Sequence, residues 1–163
     1  MKSASPESNA GNSAVLAPPR VVETVQFRLS SDPKMLKIVR AGIAHLCDLI
    51  GFSAEQRNQT MIAVDEACSN IIRYAYDGKT DQLIIITARL LENGIQIMLR
   101  DFGKKADEDF IKPRDLNDVR PGGLGVHLIR STMDSVSYTN LERGNRLTLT
   151  KYNRSVHAGN RNA

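Results

Sequence analysis

Two pairs of strand-like segments, each joined by a short turn sequence, constrain the fold of this chain most strongly. The segments QLIIITARL and GIQIMLRD flank Asn93-Gly94, a dipeptide that is favoured in two-residue hairpin turns. Farther along the chain, SVSYTNL and NRLTLTKY flank the residues from Glu142 to Gly144. Because a hairpin joins neighbouring antiparallel strands, the sequence predicts a mostly antiparallel sheet.

Other periodic segments predict one further strand and three helices. VETVQFRLS alternates in polarity and should form the first strand. A helix is expected to begin at Asp32 and to end at Gly51. Ser53 and Gln56 form a capping box, which opens a second helix that should end near Gly78. GVHLIRSTMD has the pattern of a third helix.

This order of elements predicts an α+β fold. We expect a two-layer α/β sandwich, in which helices cover one face of a mixed, mostly antiparallel sheet. With 163 residues, of which 41% are hydrophobic, the chain has enough apolar content for one domain. The predicted domain spans residues 21–152, between a disordered leader at 1–20, rich in Ser, Ala, Asn and Pro, and a flexible tail at 153–163.

Composition also narrows the function classes. The net charge is +4, but the basic residues are dispersed and aromatic residues make up only 5% of the chain, so no direct nucleic-acid partner is expected. No run approaches about 18 continuous apolar residues, so we expect a cytoplasmic protein without a membrane partner. Cys47 and Cys68 lie in apolar helical patterns and are interpreted as reduced core thiols.

Glu66 and Asn70 are polar residues four positions apart within the predicted second helix. They lie on a different stripe from the apolar residues Met61, Val64 and Cys68. Side chains at this spacing share one helix face, one turn apart, so a carboxylate and a carboxamide oxygen could converge on one ligand. A solvated polar face is the alternative interpretation, because so short a motif is common.

Asp101 and Gly103 follow a predicted strand in the sequence RDFG. A buried carboxylate at a strand end can accept a hydrogen bond from an exocyclic amine, and the glycine can leave room for a flat ring. Asp101 is therefore a candidate for adenine recognition. An ordinary turn aspartate at a strand end is the alternative.

A glycine-rich segment, PGGLGVHLI, leads into the third predicted helix. Gly122, Gly123 and Gly125 allow close approach of the backbone to a ligand, and the N–H groups at the helix start favour phosphate. A flexible hinge would have the same composition. The charged segment between this motif and Asp101, residues 104–121, is expected to be either a functional lid or a disordered loop.

The order of these three motifs resembles the ATPase superfamily of gyrase, the heat-shock chaperone, histidine kinases and mismatch-repair proteins. The resemblance is strongest to the small bacterial branch of anti-sigma-factor serine/threonine kinases, and it covers roughly Val21 to Tyr152. Two positions depart from the pattern of that family. Lys105 stands where the D-x-G-x-G box often has glycine, and Tyr74 stands where close relatives often have histidine.

The resemblance implies a binding site for ATP and Mg²⁺. Asn70 would hold the metal through its side-chain oxygen, Glu66 would be the catalytic general base, and Asp101 with Gly103 would bind adenine. Arg73 and Thr148 are weaker nucleotide-binding candidates, with a surface salt bridge and a cross-strand structural role as the respective alternatives. The phosphates would be bound by the glycine-rich segment: Gly122, Gly123, Leu124, Gly125, Val126 and His127.

The resemblance further implies a protein kinase that regulates transcription. Its substrate would be an antagonist protein of the anti-anti-sigma type, with a sigma factor and a second copy of this chain as further candidate partners. Two alternatives remain open. One is the switch kinase of a stress-signalling complex, and the other is a non-catalytic binding module that is gated by nucleotide.

Overall fold

The fold is a five-stranded antiparallel sheet with helices packed on one face. The computed structural model describes residues 18–105 and 123–153. The strand order is β1-β2-β3-β5-β4, and every neighbouring pair is antiparallel. The expected α+β sandwich is confirmed. The strands are β1 (Val21–Ser30), β2 (Leu83–Leu91), β3 (Gly94–Asp101), β4 (Ser135–Asn140) and β5 (Asn145–Tyr152).

The described residues form three α-helices: α1 (Leu36–Leu49), α2 (Ala54–Asn70) and α3 (Gly123–Thr132). A 3-10 turn, Pro33–Met35, precedes α1, and a π-helical turn, Ile71–Ala75, continues α2. Within the described ranges, none of these helices is long and apolar enough to span a bilayer. The predicted leader and tail and the segment 104–121 lie almost wholly outside the described residues.

Alternation along the strands separates a helix-facing side of the sheet from an open side. The register pairs Ile86 of β2 with Leu99 of β3, and both side chains are fully buried. The intervening positions, such as Arg89, are more exposed. Since successive side chains point to opposite faces, the core lies between one sheet face and the helices. The core includes Val39, Ile43, Ala63, Val64, Ile84, Ile95, Ile97 and Leu149.

Local sequence signals account for the start of both N-terminal helices. Asp32 accepts a hydrogen bond from the Lys34 backbone N–H at 2.9 Å, ahead of α1. At α2 the predicted capping box is present, because the Gln56 N–H donates to Ser53 Oγ at 3.2 Å and the Ser53 N–H donates to Gln56 Oε1 at 3.0 Å. These bonds satisfy backbone donors that a helix start leaves unpaired.

The two cysteines are core residues, as the sequence predicts. Cys47 and Cys68 are both buried and unbridged. Burial raises the pKa of Cys47 to about 11 and the pKa of Cys68 to about 12. Both groups are therefore protonated thiols at neutral pH, which is unfavourable for a nucleophilic role.

The second predicted helix is not a single α-helix. Its α-helical part ends at Asn70, and the next five residues form the π-helical turn, in which the Tyr76 N–H donates to the Ile71 carbonyl at 3.0 Å. The predicted end is confirmed, because Asp77 and Gly78 both adopt positive φ angles, of 52° and 77°. A π-turn shifts the side chains that follow it, and such turns are frequent at functional sites.

The turn of the first predicted hairpin lies one residue earlier than expected. Leu91 pairs with Gly94, so the two turn residues are Glu92 and Asn93, and neither has a positive φ angle. Gly94 is instead required by packing. A Cβ atom there would lie 2.2 Å from the carbonyl oxygen of Lys151 on β5.

We expect Gly94→Ala to lower the free energy of unfolding by about 1–3 kcal/mol, because β3 and β5 would have to move apart. The matched control is Glu92→Ala in the exposed turn, which should change it by no more than about 0.5 kcal/mol. Urea denaturation measures both values. Equal effects of the two substitutions would show that β5 can accommodate the extra methyl group.

Candidate functional site

A cavity of about 270 Å³ lies at the end of the sheet where β3 stops and β5 starts, between α2 and α3. A cavity with apolar walls and a few polar groups is suited to a small ligand with a flat apolar part. Its apolar lining is Ala67, Ile71, Ala75, Val126, Ile129, Val136 and Leu147. Its polar lining is Asn70, Tyr74, Asp101, Lys104, Lys105, Arg130, Tyr138 and Asn145.

Asn70 lines this cavity as the last residue of α2. Its Oδ1 atom is buried and has no hydrogen-bond partner among the described residues. A buried oxygen without a partner is rare, because it forfeits its hydrogen bond to water. A hard oxygen of this kind fits a Mg²⁺ ion, which takes one or two protein oxygens and completes its shell with phosphate and water.

Glu66 lies one turn before Asn70, at the contact between α2 and α3, beside the cavity and not in its lining. A Cβ atom on Gly125 would lie 1.9 Å from Glu66 Oε1, so the glycine lets the first turn of α3 approach this carboxylate. Within the described ranges, Glu66 has no ion pair or hydrogen bond through its carboxylate. The neighbouring Asp65, in contrast, accepts from Arg40 at 2.6 and 2.7 Å.

Asp101 is buried at the end of β3 and is held by donors of Gly103 and Asn145. The Gly103 backbone N–H and the Asn145 side-chain amide donate to the same oxygen, Oδ1, at 3.0 and 2.9 Å. Oδ2 accepts neither of these two hydrogen bonds. Burial raises the pKa of Asp101, and the Gly103 N–H, the side-chain amide and backbone N–H of Asn145 and the Arg100 guanidinium oppose this effect.

Asn145 is a site residue that the sequence analysis missed. It pairs directly with Asp101 across β3 and β5, and its amide also donates to the Lys104 carbonyl at 2.8 Å. Thr148 lies three positions farther along β5, so it points to the opposite face of the sheet. The structure therefore does not bring Thr148, a weaker candidate for contact with the base, to the cavity. The missing information was the non-local pairing of β3 with β5.

Gly103 has a different role from the one expected. It is not part of the cavity lining, and a Cβ atom there would lie 2.2 Å from the Ala75 carbonyl oxygen. The adjacent Lys104 N–H donates to that carbonyl at 3.0 Å. Gly103 thus allows the end of β3 to pack on the π-helical turn, and it shapes the cavity only indirectly.

The remaining predicted residues are divided between the cavity and the surface. Arg73 is exposed and lies 5.7 Å from the ring centroid of Tyr74; Tyr74 lines the cavity and Arg73 does not. Helix α3 begins at Gly123, two residues before the predicted start, and includes Leu124 and Gly125 in its first turn. Val126 lines the cavity, His127 is exposed, and Gly122 lies outside the described residues.

Comparison with known proteins identifies the class to which this fold and site belong. Residues 29–151 match the family model of the histidine kinase-like ATPase domain. This match covers most of the chain, so the protein belongs to that family. The superfamily resemblance that the three motifs carry is confirmed.

The names of the sequence relatives are more specific than the description of the family. The serine-protein kinase RsbW of Bacillus thuringiensis (strain Al Hakam) is 28% identical over 138 residues, which cover 80% of this chain and 85% of the relative. The serine-protein kinase RsbW of Bacillus velezensis is 26% identical over 140 residues, with 80% and 86% covered.

Solved structures are similar in fold. The structure of the RsbU and RsbW domains of a Mycobacterium tuberculosis protein matches with a TM-score of 0.59 at 16% identity, over 80% of this chain and 32% of that longer one. The catalytic domain of the histidine kinase ThkA matches with a TM-score of 0.51 at 12% identity, over 81% and 97%. At these identities the likeness concerns the fold alone.

The raised pKa of Asp101 predicts a pH-dependent stability. The folded state holds the proton more tightly than the unfolded chain, whose aspartate has the ordinary value of 3.8. The stabilisation from the protonated form is therefore complete below pH 3.8 and is lost as pH rises through the folded-state pKa. The Asp101→Asn variant lacks this loss, so its stability relative to the parent should be higher at neutral pH than at pH near 3.8. Urea denaturation across this pH range measures the difference in the free energy of unfolding between the variant and the parent. A difference that does not change with pH would contradict the prediction.

Proposed function

We propose that this protein is an ATP-dependent serine/threonine protein kinase of the anti-sigma-factor type. It binds Mg-ATP and transfers the γ-phosphoryl group to a serine or threonine of an antagonist protein of the anti-anti-sigma type. Through that antagonist it controls a sigma factor. The RsbW relatives, which are named serine-protein kinases, support this proposal.

The observation that carries the proposal is the position of two oxygens without partners on successive turns of α2. Asn70 Oδ1 is buried at the cavity without a hydrogen bond, and the carboxylate of Glu66 is unpaired one turn earlier, within the described residues. A structural role would normally satisfy a buried oxygen such as Asn70 Oδ1. A metal–phosphate ligand on Asn70 and a substrate hydroxyl on Glu66 would supply the partners.

The opposite end of the same cavity is suited to the base. Asp101 would accept a hydrogen bond from the exocyclic amine of adenine through Oδ2, because Oδ1 accepts from the Gly103 N–H and the Asn145 side-chain amide. Apolar side chains from both layers, such as Ile71 and Leu147, would cover the faces of the ring. The N–H groups of the first turn of α3, from Gly123 onward, would bind the phosphates.

The chemistry expected of this chain is the removal of one proton and the orientation of the phosphate chain. Glu66 would accept the proton of the serine or threonine hydroxyl as the new P–O bond forms and the bond to ADP breaks. Mg²⁺, held by Asn70, would supply neutralisation of charge on the phosphate oxygens. Because the first turn of α3 contacts Glu66, phosphates bound there would lie next to the base.

Glu66→Gln tests the general base directly. The amide keeps the size of the side chain but cannot take the proton, so ATP binding should persist and phosphate transfer should fall roughly a hundredfold or more. Asp65→Asn is the matched control, because Asp65 is the adjacent carboxylate and is paired with Arg40 on the surface. Asn70→Ala should abolish the enhancement of ATP binding by Mg²⁺.

The measurement is transfer of radiolabelled phosphate to purified anti-anti-sigma-type proteins of the same organism, with calorimetry for ATP. Transfer by Glu66→Gln at the parental rate would overturn the role of Glu66. ATP binding without any transfer by the parent would favour the nucleotide-gated binding module. Transfer without capture of a sigma factor would favour the switch kinase.

Asp101→Asn should also change the choice of base. The Gly103 N–H and the Asn145 amide would keep the new side-chain oxygen in place of Oδ1, so the new NH₂ group would face the ligand. The new NH₂ group and the exocyclic amine of adenine are both hydrogen-bond donors, so ATP should bind about 10–100-fold more weakly. ITP carries a carbonyl oxygen at the position of that amine, so the variant should prefer ITP to ATP. Thermal shifts with both nucleotides measure the preference, and an unchanged ATP shift would remove Asp101 from base recognition.

A further inference from the structure

The face of the sheet that points away from the helices carries arginines and no carboxylate. The register places Arg28, Ile85, Arg100, Arg146 and Thr139 in one row across the five strands. The two rows beside it contain one charged residue, Arg89, and otherwise Thr, Ser, Gln and Met. These three rows are called the open sheet face below.

Three of these arginines are available to a partner. Arg28, Arg89 and Arg146 are exposed, and their guanidinium groups have no ion pair or hydrogen bond within the part of the chain that the structure describes. Three arginines elsewhere on the surface are paired with carboxylates: Arg20 with Glu92 at 2.8 Å, Arg40 with Asp65 at 2.6 Å and Arg57 with Asp48 at 3.3 Å. Arg73 and Arg143 are exposed and have no ion pair within the described ranges, but they lie apart in two different turns. Arg28, Arg89 and Arg146 are thus three unpaired arginines that share one face of the sheet.

The fourth arginine of the open sheet face has an internal role. Arg100 donates to the carbonyls of Arg143 and Asn145, and its guanidinium lies 4.4 Å from the ring centroid of Phe102. Two carboxylates at the margin of this face have partners of their own. Asp134 accepts from the Tyr152 N–H at 2.8 Å, and Glu92 is paired with Arg20.

We propose that the open sheet face is a docking surface for an acidic surface of a protein partner. A guanidinium binds a carboxylate through two parallel N–H bonds, and an unpaired arginine on a rigid strand presents that fork in a fixed place. The three rows span about 20 Å across the sheet and about 14 Å along it. This area is smaller than the ~800 Å² per partner of a stable complex, so the contact is transient and weakened by salt.

Two other occupants fit the surface less well. Single-stranded nucleic acid is bound on sheets by aromatic side chains that stack on the bases, and the three rows contain no aromatic residue. A second copy of this chain, packed face to face, would bring two arginine-bearing surfaces together without a compensating carboxylate. An acidic protein surface is the occupant that complements the charge.

The test uses the full-length protein and a labelled peptide of alternating glutamate and serine. The open-face variant carries Arg28→Gln, Arg89→Gln and Arg146→Gln, and the matched control carries Arg20→Gln, Arg40→Gln and Arg57→Gln, which remove the same charge from paired arginines. By fluorescence anisotropy at low salt, the open-face variant should bind the peptide about tenfold more weakly, and the control should bind about as tightly as the parent. Circular dichroism and the ATP-induced thermal shift verify that both variants are folded.

Hydrogen exchange locates the contact independently of the variants. The peptide should protect amides of the sheet, while a peptide of alternating glutamine and serine should not. Equal weakening in both triple variants would overturn the proposal, because net charge alone would then explain binding. The proposal would also be overturned if single-stranded oligothymidine bound the parent more tightly than the glutamate–serine peptide does and if the open-face variant lost that binding. Protection of the sheet that rises with protein concentration alone would assign the face to a second copy and would also overturn it.

Discussion

The pairing of β3 with β5 is the interaction on which the site depends. These strands are distant in sequence, and their register places Asp101 opposite Asn145. Glycines permit the close approach at both ends, because Cβ atoms at Gly94 and Gly144 would lie 2.2 Å from the carbonyl oxygens of Lys151 and Asp101. With the strands in this register, the Asn145 amide satisfies one oxygen of a buried carboxylate that would otherwise be costly to keep in the core.

The position of α3 follows from contacts at both of its ends. Near its N-terminus, Gly125 allows contact with Glu66 on α2. At its C-terminus, the buried Lys151 on β5 donates to the Thr132 carbonyl at 2.7 Å and to Gln59 Oε1 at 2.6 Å. A cation near the last carbonyls of a helix is favourable, and here it also links β5, α2 and α3. The start of α3 is thereby fixed beside the cavity.

Features that depend on neighbouring residues could be predicted from the sequence. The capping box of Ser53 and Gln56 is local, and so are the two hairpins and the end of α2 near Gly78. The exact turn of the first hairpin was not predictable in this way. The dipeptide Asn93-Gly94 favours a turn through local preference, but the glycine is needed by a strand that lies more than fifty residues away.

The site was predictable where a motif identifies both the residue and its face. Asn70 and Asp101 are such cases, since each lines the cavity. Asn145 and the π-helical turn were missed, because no local pattern shows which strands pair or where a helix widens. Thr148 was misplaced for the same reason. On a strand, an error of one or three positions moves a side chain to the other face.

Because of this alternation, neighbouring residues of β3 and β5 serve two different surfaces. Asp101 and Asn145 face the cavity, whereas the adjacent pair, Arg100 and Arg146, faces outward. Arg100 connects the two sides, because its guanidinium donates to the backbone carbonyls of both Asp101 and Asn145. A side chain of the open face therefore helps to hold the backbone that presents the carboxylate to the cavity. The Arg100 guanidinium also opposes the rise in the pKa of Asp101 that burial causes, so a positive charge outside the sheet favours the ionised form of the carboxylate inside it.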